Sequence, residues 1–517
     1  MANKQLFSSA VGKLSLATDA LNHEGAPAYK LGPQEALAQY AMTGCLNSTF
    51  YASGHDQLQA VIEQAKQVSP KFIAQLAVYS REKGYMKDLP ALFCALLSVK
   101  DSQLLEKVFF QVVDNAKMLR NFVQIMRSGA VGRKSLGSLP KKLIIKWLAE
   151  RTEEALFSDI IGDTPSLADI VKMVHPKPAN SKREAFYGYL LGKSFRAELL
   201  PPIVGDFETY KKKPTGALPA VPFQLLTSLE LGPRQWKDIA RRASWQMTRM
   251  NLNTFARHGV FADKKLAQLV AKRLRDQGKI KQARAFPYQL LVTFRALGSD
   301  MPRPICEALQ DAMEIAVSNV PAFSGQVVVC PDVSGSMSSP LTGYRRGATT
   351  AVRAIDVAAL MAAAVMRKNP SAIVLPFEET VVPFKLNSRD SVMTNADKLA
   401  TIGGGGTNCS APLAWLNAKN IRADFVILVS DNQSWIDARR EGATQTMREW
   451  QKFKLCNPQA KLACIDIQPY ATAQCYNGND IFNVGGFSDQ VFEVLERFVA
   501  NTLSPGHFVG LIENVEI

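Results

Sequence analysis

The stretch Gln326-Val327-Val328-Val329-Cys330-Pro331-Asp332-Val333-Ser334-Gly335-Ser336-Met337-Ser338 constrains the chain more than any other. Its apolar, β-branched start predicts a short buried strand, and an Asp-x-Ser-x-Ser loop follows at once. One carboxylate and two hydroxyls therefore stand at the carboxyl end of a strand, where open α/β sheets bind their ligands. All three groups offer oxygen, which suits a hard cation such as Mg2+, with Mn2+ as the alternative, better than zinc.

Such a loop needs further ligands, and two segments supply them. Gly403 to Gly406 lead into Thr407, and the apolar run Phe425 to Val429 ends in Ser430-Asp431. Asp332, Ser334, Ser336, Thr407 and Asp431 together resemble the metal-ion-dependent adhesion site of von Willebrand factor A domains. The bland alternative is that Asp332 caps a turn and Thr407 simply follows glycines. The Asp-x-Ser-x-Ser loop is not a nucleophile elbow, which needs Gly-x-Ser-x-Gly. No Gly-Lys-Ser/Thr follows the four glycines, so they are not a P-loop. With five histidines and no Ser-His-Asp or Cys-His arrangement, no catalytic cluster is visible, and a noncatalytic protein is expected.

Around this loop the pattern alternates strand and helix from about 321 to 517, which predicts a mostly parallel sheet with helices on both faces. The expected strands lie at 326–330, 372–377, 425–429 and 461–467, and the expected helices at 349–367, 388–400, 411–417, 440–453 and 488–502. The last residues, 510–517, are expected either as a closing strand or tied back to the preceding domain. From Pro33 to about Val320 the period is helical throughout, with Pro or Gly between short segments. That spacing predicts a HEAT-like α-solenoid, with a compact helical bundle as the competing architecture. The boundaries are thus 1–320 and 321–517.

Charge separates the same two regions. Residues 321–517 carry 17 Lys and Arg against 18 Asp and Glu, whereas residues 1–320 carry 44 against 28. A basic excess confined to one region points to a polyanion, usually nucleic acid. From Lys211 to Arg284 there are 17 basic and four acidic residues, and Arg241 and Arg242 lie between Trp236 and Trp245. Aromatics among cations can stack on bases, although two tryptophans on a helix are the usual mark of core. Eight scattered cysteines without a Cys-x-x-Cys pair, no signal-like start and no long apolar run fit a reducing, cytoplasmic setting.

A basic helical region followed by a metal-site domain resembles the Ro 60-kDa autoantigen family, whose helical part is the TROVE module. Local residues carry the resemblance: Gln39-Tyr40-Ala41-Met42-Thr43-Gly44 with Thr49-Phe50-Tyr51, Gly132-Arg133-Lys134 with Lys141 to Trp147, Val174-His175-Pro176-Lys177-Pro178, and Arg249-Met250-Asn251-Leu252. The resemblance implies a solenoid closed into a ring that binds ends of misfolded RNAs in its hole and Y-like small RNAs on its outer face. It places His175 and Lys177 on the Y RNA surface, Arg133, Lys134, Lys141 and Lys142 on RNA backbone, and Arg249 and Asn251 at the hole. It also implies a monomer, a role in RNA quality control, and, from bacterial relatives, an exoribonuclease partner. One departure stands out: residues 153–160, acidic here, replace the basic stretch of animal members. The alternative function is metal-dependent docking of an acidic protein, with the helical region as scaffold.

Overall fold

The computed structural model describes residues 16–43, 46, 48–283, 287–317, 320–341, 352–438, 442–486, 489–503 and 506–517. Gly44 and the expected helix start at 349–351 lie outside them. The chain divides into two compact units, and neither is one continuous stretch. The first gathers Met1–Thr43, Asn47–Ala60 and Asn319–Phe508; the second gathers Gly44–Leu46, Val61–Ser318 and Val509–Ile517.

The first unit is built on a five-stranded parallel sheet. Its strands are β3 (Val327–Pro331), β4 (Ile373–Val374), β5 (Phe425–Ser430), β6 (Lys461–Asp466) and β8 (Ile481–Gly485), in the order β4-β3-β5-β6-β8. Every residue of β3 and β5 is buried, as expected for strands covered on both faces. Counting only this sheet, the order is 2-1-3-4-5, so the winding reverses between β3 and β5. That reversal opens a crevice at the carboxyl ends of these two strands.

A small antiparallel sheet completes the unit: β1 (Ala20–Leu21), β2 (Pro27–Lys30) and β7 (Thr472–Ala473). Tyr29 pairs with Ala473 and Lys30 with Thr472, and the Leu31 N–H extends the ladder to the Ala471 carbonyl. The helix Pro33–Thr43 then packs on β8, where Gly485 leaves room for the Gln39 backbone. These pairings draw amino-terminal residues into the sheet unit, in contrast to the single boundary at 320 read from the sequence.

The second unit is helical. Its helices are capped as their sequences dictate. The Ser69 side chain accepts the Phe72 N–H with Pro70 at the first turn, Ser166 and Asp169 form a reciprocal capping box, and Asn180 and Asp263 cap the helices Ser181–Leu190 and Lys264–Leu274. Helices pack on the next and on the next but one. Pro70–Glu82 meets Asp88–Lys100 and Ser102–Val112, and Asp88–Lys100 meets Ala116–Ser128. This stacking is the arrangement expected of helical repeats. Trp236 and Trp245 are core, at 5% and 3% exposure. The final residues tie back to the helices, not to the sheet: the Gln75 amide donates to the carbonyls of Glu513 and Val515.

Candidate metal centre and basic surface

The crevice between β3 and β5 collects the predicted ligand set. Asp332 leaves β3 fully buried; its Oδ1 accepts the Ser334 N–H at 2.8 Å and its Oδ2 the Ser430 hydroxyl at 2.6 Å. The Ser334 and Ser336 hydroxyls lie 3.3 Å apart, and Asp431 follows the last residue of β5, where Ser336 works to lower its carboxyl pKa. Thr407 is buried on a loop stitched to this one. The Gly404 N–H donates to the Val333 carbonyl and the Gly335 N–H to the Gly405 carbonyl, both at 2.9 Å. Gly403 has φ +85°, and a Cβ there would collide with Val333, so glycine is what lets the two loops meet.

The electrostatics follow from burial. Desolvation, and then the charge of Asp332, push the Asp431 carboxyl up to about 7; desolvation likewise raises Asp332. The buried Asp431 Oδ2 has no hydrogen-bond partner among the described residues. Two buried carboxylates, one with an unsatisfied oxygen, among three hydroxyl residues fit a hard divalent cation, which would supply the missing positive charge. Two further groups escaped the sequence reading. Ser430 orients Asp332, and its position directly before Asp431 was the available signal. Glu378, beyond β4, accepts the Gly405 N–H at 2.7 Å and adds negative charge beside Asp332. Only the fold brings that residue here.

The candidates on the helical unit fall into two kinds. Lys134, Lys141, Lys142, His175 and Lys177 are exposed. The four lysines have no ion-pair partner among the described residues. The helices Ser138–Ala149 and Leu167–Val174, which carry or precede these residues, pack on each other. His175 ends its helix in the left-handed conformation at φ 50°, which leaves its ring outside. Arg241 and Arg242 are also exposed, although Arg241 is paired with Asp238 at 2.7 Å.

The other kind is structural. Arg133 donates to the carbonyls of Ser98, Ser135 and Leu136, so its guanidinium clamps its own loop. Arg249, expected at an RNA-lined hole, is only 8% exposed; it donates to the Gln289 carbonyl and the Thr293 hydroxyl, both on the helix Pro287–Arg295. Burial pushes its pKa down to about 10. Its Nε and Nη1 both donate inside the protein. Asn251 is half-buried and donates to the Met247 carbonyl.

The departure at 153–160 also has a physical account. Glu153 binds the buried Arg183 at 2.7 Å, and Asp159 lies 3.4 Å from Arg151. Both carboxylates are engaged within the helical unit.

Four matches to known proteins bear on what this arrangement is. The family model described as the Ro60 vWA domain matches residues 326–499. An RNA-binding protein RO60 from Deinococcus radiodurans is 22% identical over 449 residues, covering 80% of this chain and 83% of that protein. An RNA-binding protein RO60 from Caenorhabditis elegans is 25% identical over 259 residues, 47% of this chain and 38% of that protein. The crystal structure of the Deinococcus radiodurans RO (RSR) protein matches with a TM-score of 0.61 at 18% identity, over 91% of this chain and 100% of that one. The chain therefore has the Ro fold, helical repeats with a Ro60-type von Willebrand factor A domain, and its resemblance to the Ro60 family is established.

Proposed function

We propose that the chain is a noncatalytic RNA-binding protein whose helical unit holds structured noncoding RNA, and whose β3–β5 crevice holds Mg2+ or Mn2+. The carrying observation is the group of exposed lysines at 134, 141, 142 and 177, unpaired among the described residues, in the region that contains the whole basic excess. Relatives named RNA-binding proteins support the same reading. Lysines facing solvent neutralise phosphates and release counterions, while base identity plays little part. Duplex RNA is then recognised by shape and backbone, single-stranded ends by charge and stacking. A Y-like small RNA on an outer face, 3′ ends of misfolded RNA in the hole of a closed ring, a role in RNA quality control and an exoribonuclease partner are the finer parts of this proposal. So are a monomeric state and a cytoplasmic setting.

When bound, the cation would neutralise Asp332 and Asp431. Asp332, Ser334, Ser336, Thr407 and Asp431 would hold it, with Ser430 fixing the Asp332 carboxylate. The test of the main reading is a salt titration of the full chain with a structured small RNA carrying a single-stranded 3′ tail. Affinity is expected to fall steeply with salt, and the logarithmic slope to shrink by about one for each of Lys134, Lys141 and Lys142 replaced by Ala. A salt-independent or absent interaction would overturn it.

A second reading is favoured by one observation. Trp435 and Ile436 are 41% and 38% exposed, and their N–H groups donate to the Thr407 carbonyl beside the metal centre. An exposed apolar pair next to a cation site suits docking of an acidic protein segment with an apolar neighbour. Asp332→Ala would abolish that docking and leave RNA affinity intact.

A further inference from the structure

We propose that the stacked pair Trp236–His258 in the helical unit is a seat for one unpaired nucleobase, which lies on the face of the His258 ring turned away from the indole. The inference rests on the RNA-binding reading above and adds a single-strand subsite to it.

Trp236 stands on the helix Pro233–Arg242, and His258 directly follows the helix Leu252–Arg257; the two helices pack on each other. The rings lie nearly parallel, with centroids 4.1 Å apart and planes 9° apart. Trp236 is buried in an apolar cluster with Ile239, Phe255 and Val260, and Phe223 meets it edge-on. His258 is half-buried. With one face on the indole, its exposure comes from the ring edge and the opposite face. Neither imidazole nitrogen has a hydrogen-bond partner among the described residues, so both stay available to a ligand. The chain turns away at once, because Gly259 is left-handed at φ 67°, and a Cβ there would meet no atom within 4 Å. The space beside this turn is open.

Trp245 makes the contrast. Its indole N–H donates to the Leu274 carbonyl at 2.9 Å, and no ring stacks on it among the described residues. Trp245 closes a contact inside the core, whereas Trp236 backs a second ring that reaches the surface. Charge accompanies this stack. Arg234 and Lys237 flank Trp236 in the chain, and Arg257 precedes His258. Arg234 and Arg257 are exposed, and none of the three has an ion-pair or hydrogen-bond partner among the described residues. The acids nearest in sequence are spent: Asp238 pairs with Arg241 at 2.7 Å, and Asp263 caps the helix Lys264–Leu274. Unpaired cations neutralise phosphates while an aromatic face takes a base, and every base has such a face, so the seat tolerates sequence. Bases inside a duplex are stacked on one another and offer no face to this ring.

The test uses the full chain, a fixed salt concentration and two RNA probes of equal length: an unstructured single strand and a blunt duplex. His258→Ala removes the seat; His258→Phe keeps a ring without its nitrogens. Fluorescence anisotropy reads both affinities, and thermal melting reads the fold. Single-strand affinity is expected to fall about five- to twentyfold in His258→Ala, with most of the loss recovered in His258→Phe. Duplex affinity should not follow it. A single strand carrying 4-thiouridine, irradiated on the native chain and digested with trypsin, should label the peptide 258–264. Unchanged single-strand affinity in His258→Ala would overturn the seat. So would an equal loss for both probes, because the ring would then only hold helices together, and so would a Phe variant no better than Ala. If His258→Ala does not fold, the crosslink decides, and label on other peptides alone overturns the seat. If the native chain binds neither probe, the RNA reading itself fails, and the seat with it.

Discussion

Glu153 shows how a single carboxylate can mislead when it is read without its partner. In the sequence it opens an acidic stretch; in the structure it is held by Arg183, which is 7% exposed and also donates to the carbonyls of Leu148 and Arg151. Burial is the largest single influence and works to raise the Glu153 pKa, but the Arg183 hydrogen bond, the backbone N–H and the charges of Arg183 and Lys182 together outweigh it, and the net shift is downward. A depressed carboxyl stabilises the folded state above its unfolded pKa, and that stability is lost as pH falls through the folded one. Glu153→Gln is expected to cost about 1–3 kcal/mol at neutral pH, because it leaves a buried guanidinium without its anion. Part of the acid-side loss of stability should disappear in the same variant. Urea melts at pH 7 and pH 3 read both effects. Arg249 carries a related expectation: Arg249→Ala should destabilise by about 2 kcal/mol through its lost bonds to Gln289 and Thr293, with RNA affinity of the folded protein unchanged. At the metal centre, Asp332→Ala should abolish Mn2+ binding by isothermal titration calorimetry and leave the melting of the helical unit in place.

Elements divide by how local their causes are. The helices at 116–128, 138–149, 167–174 and 181–190 follow the helical period read from the sequence, because that period is written within each segment and Asn115, Ser166 and Asn180 cap three of them. The strands that carry Asp332 and Asp431 were equally legible as unbroken apolar runs. Strand β8 was not. Asn483 interrupts its apolar pattern, and that residue is tolerated at 3% exposure because its amide donates to the Cys475 carbonyl and to Asn477. Strands β1 and β2 were also missed. They have two and four residues, and β2 is fixed by β7, more than four hundred residues away. No local pattern encodes such a partner. The same reason hid Glu378 from the site, whereas the five proposed ligands sat at strand ends and in a glycine loop. Deleting residues 16–32 should therefore lower the stability of the sheet unit, read as early loss of tryptophan fluorescence from buried Trp450 on thermal melting.

At the scale of the whole molecule, the decisive property is the segregation of charge, which composition alone exposed. The structure refines it: Arg183, Arg249 and Arg273 are buried and join helices, while Lys134, Lys141, Lys142 and Lys177 remain outside. The excess is partly architectural and partly available to a partner. The most direct measurement is crosslinking of the protein in its own cells, followed by sequencing of the attached RNA. The same experiment is run on a Lys134/Lys141/Lys142/Lys177→Ala variant shown to fold. RNA binding through this face requires one or a few abundant structured small RNAs on the native chain, strongly depleted on the variant. An RNA profile no richer than background would contradict the account, and so would an enriched profile that the four substitutions leave unchanged.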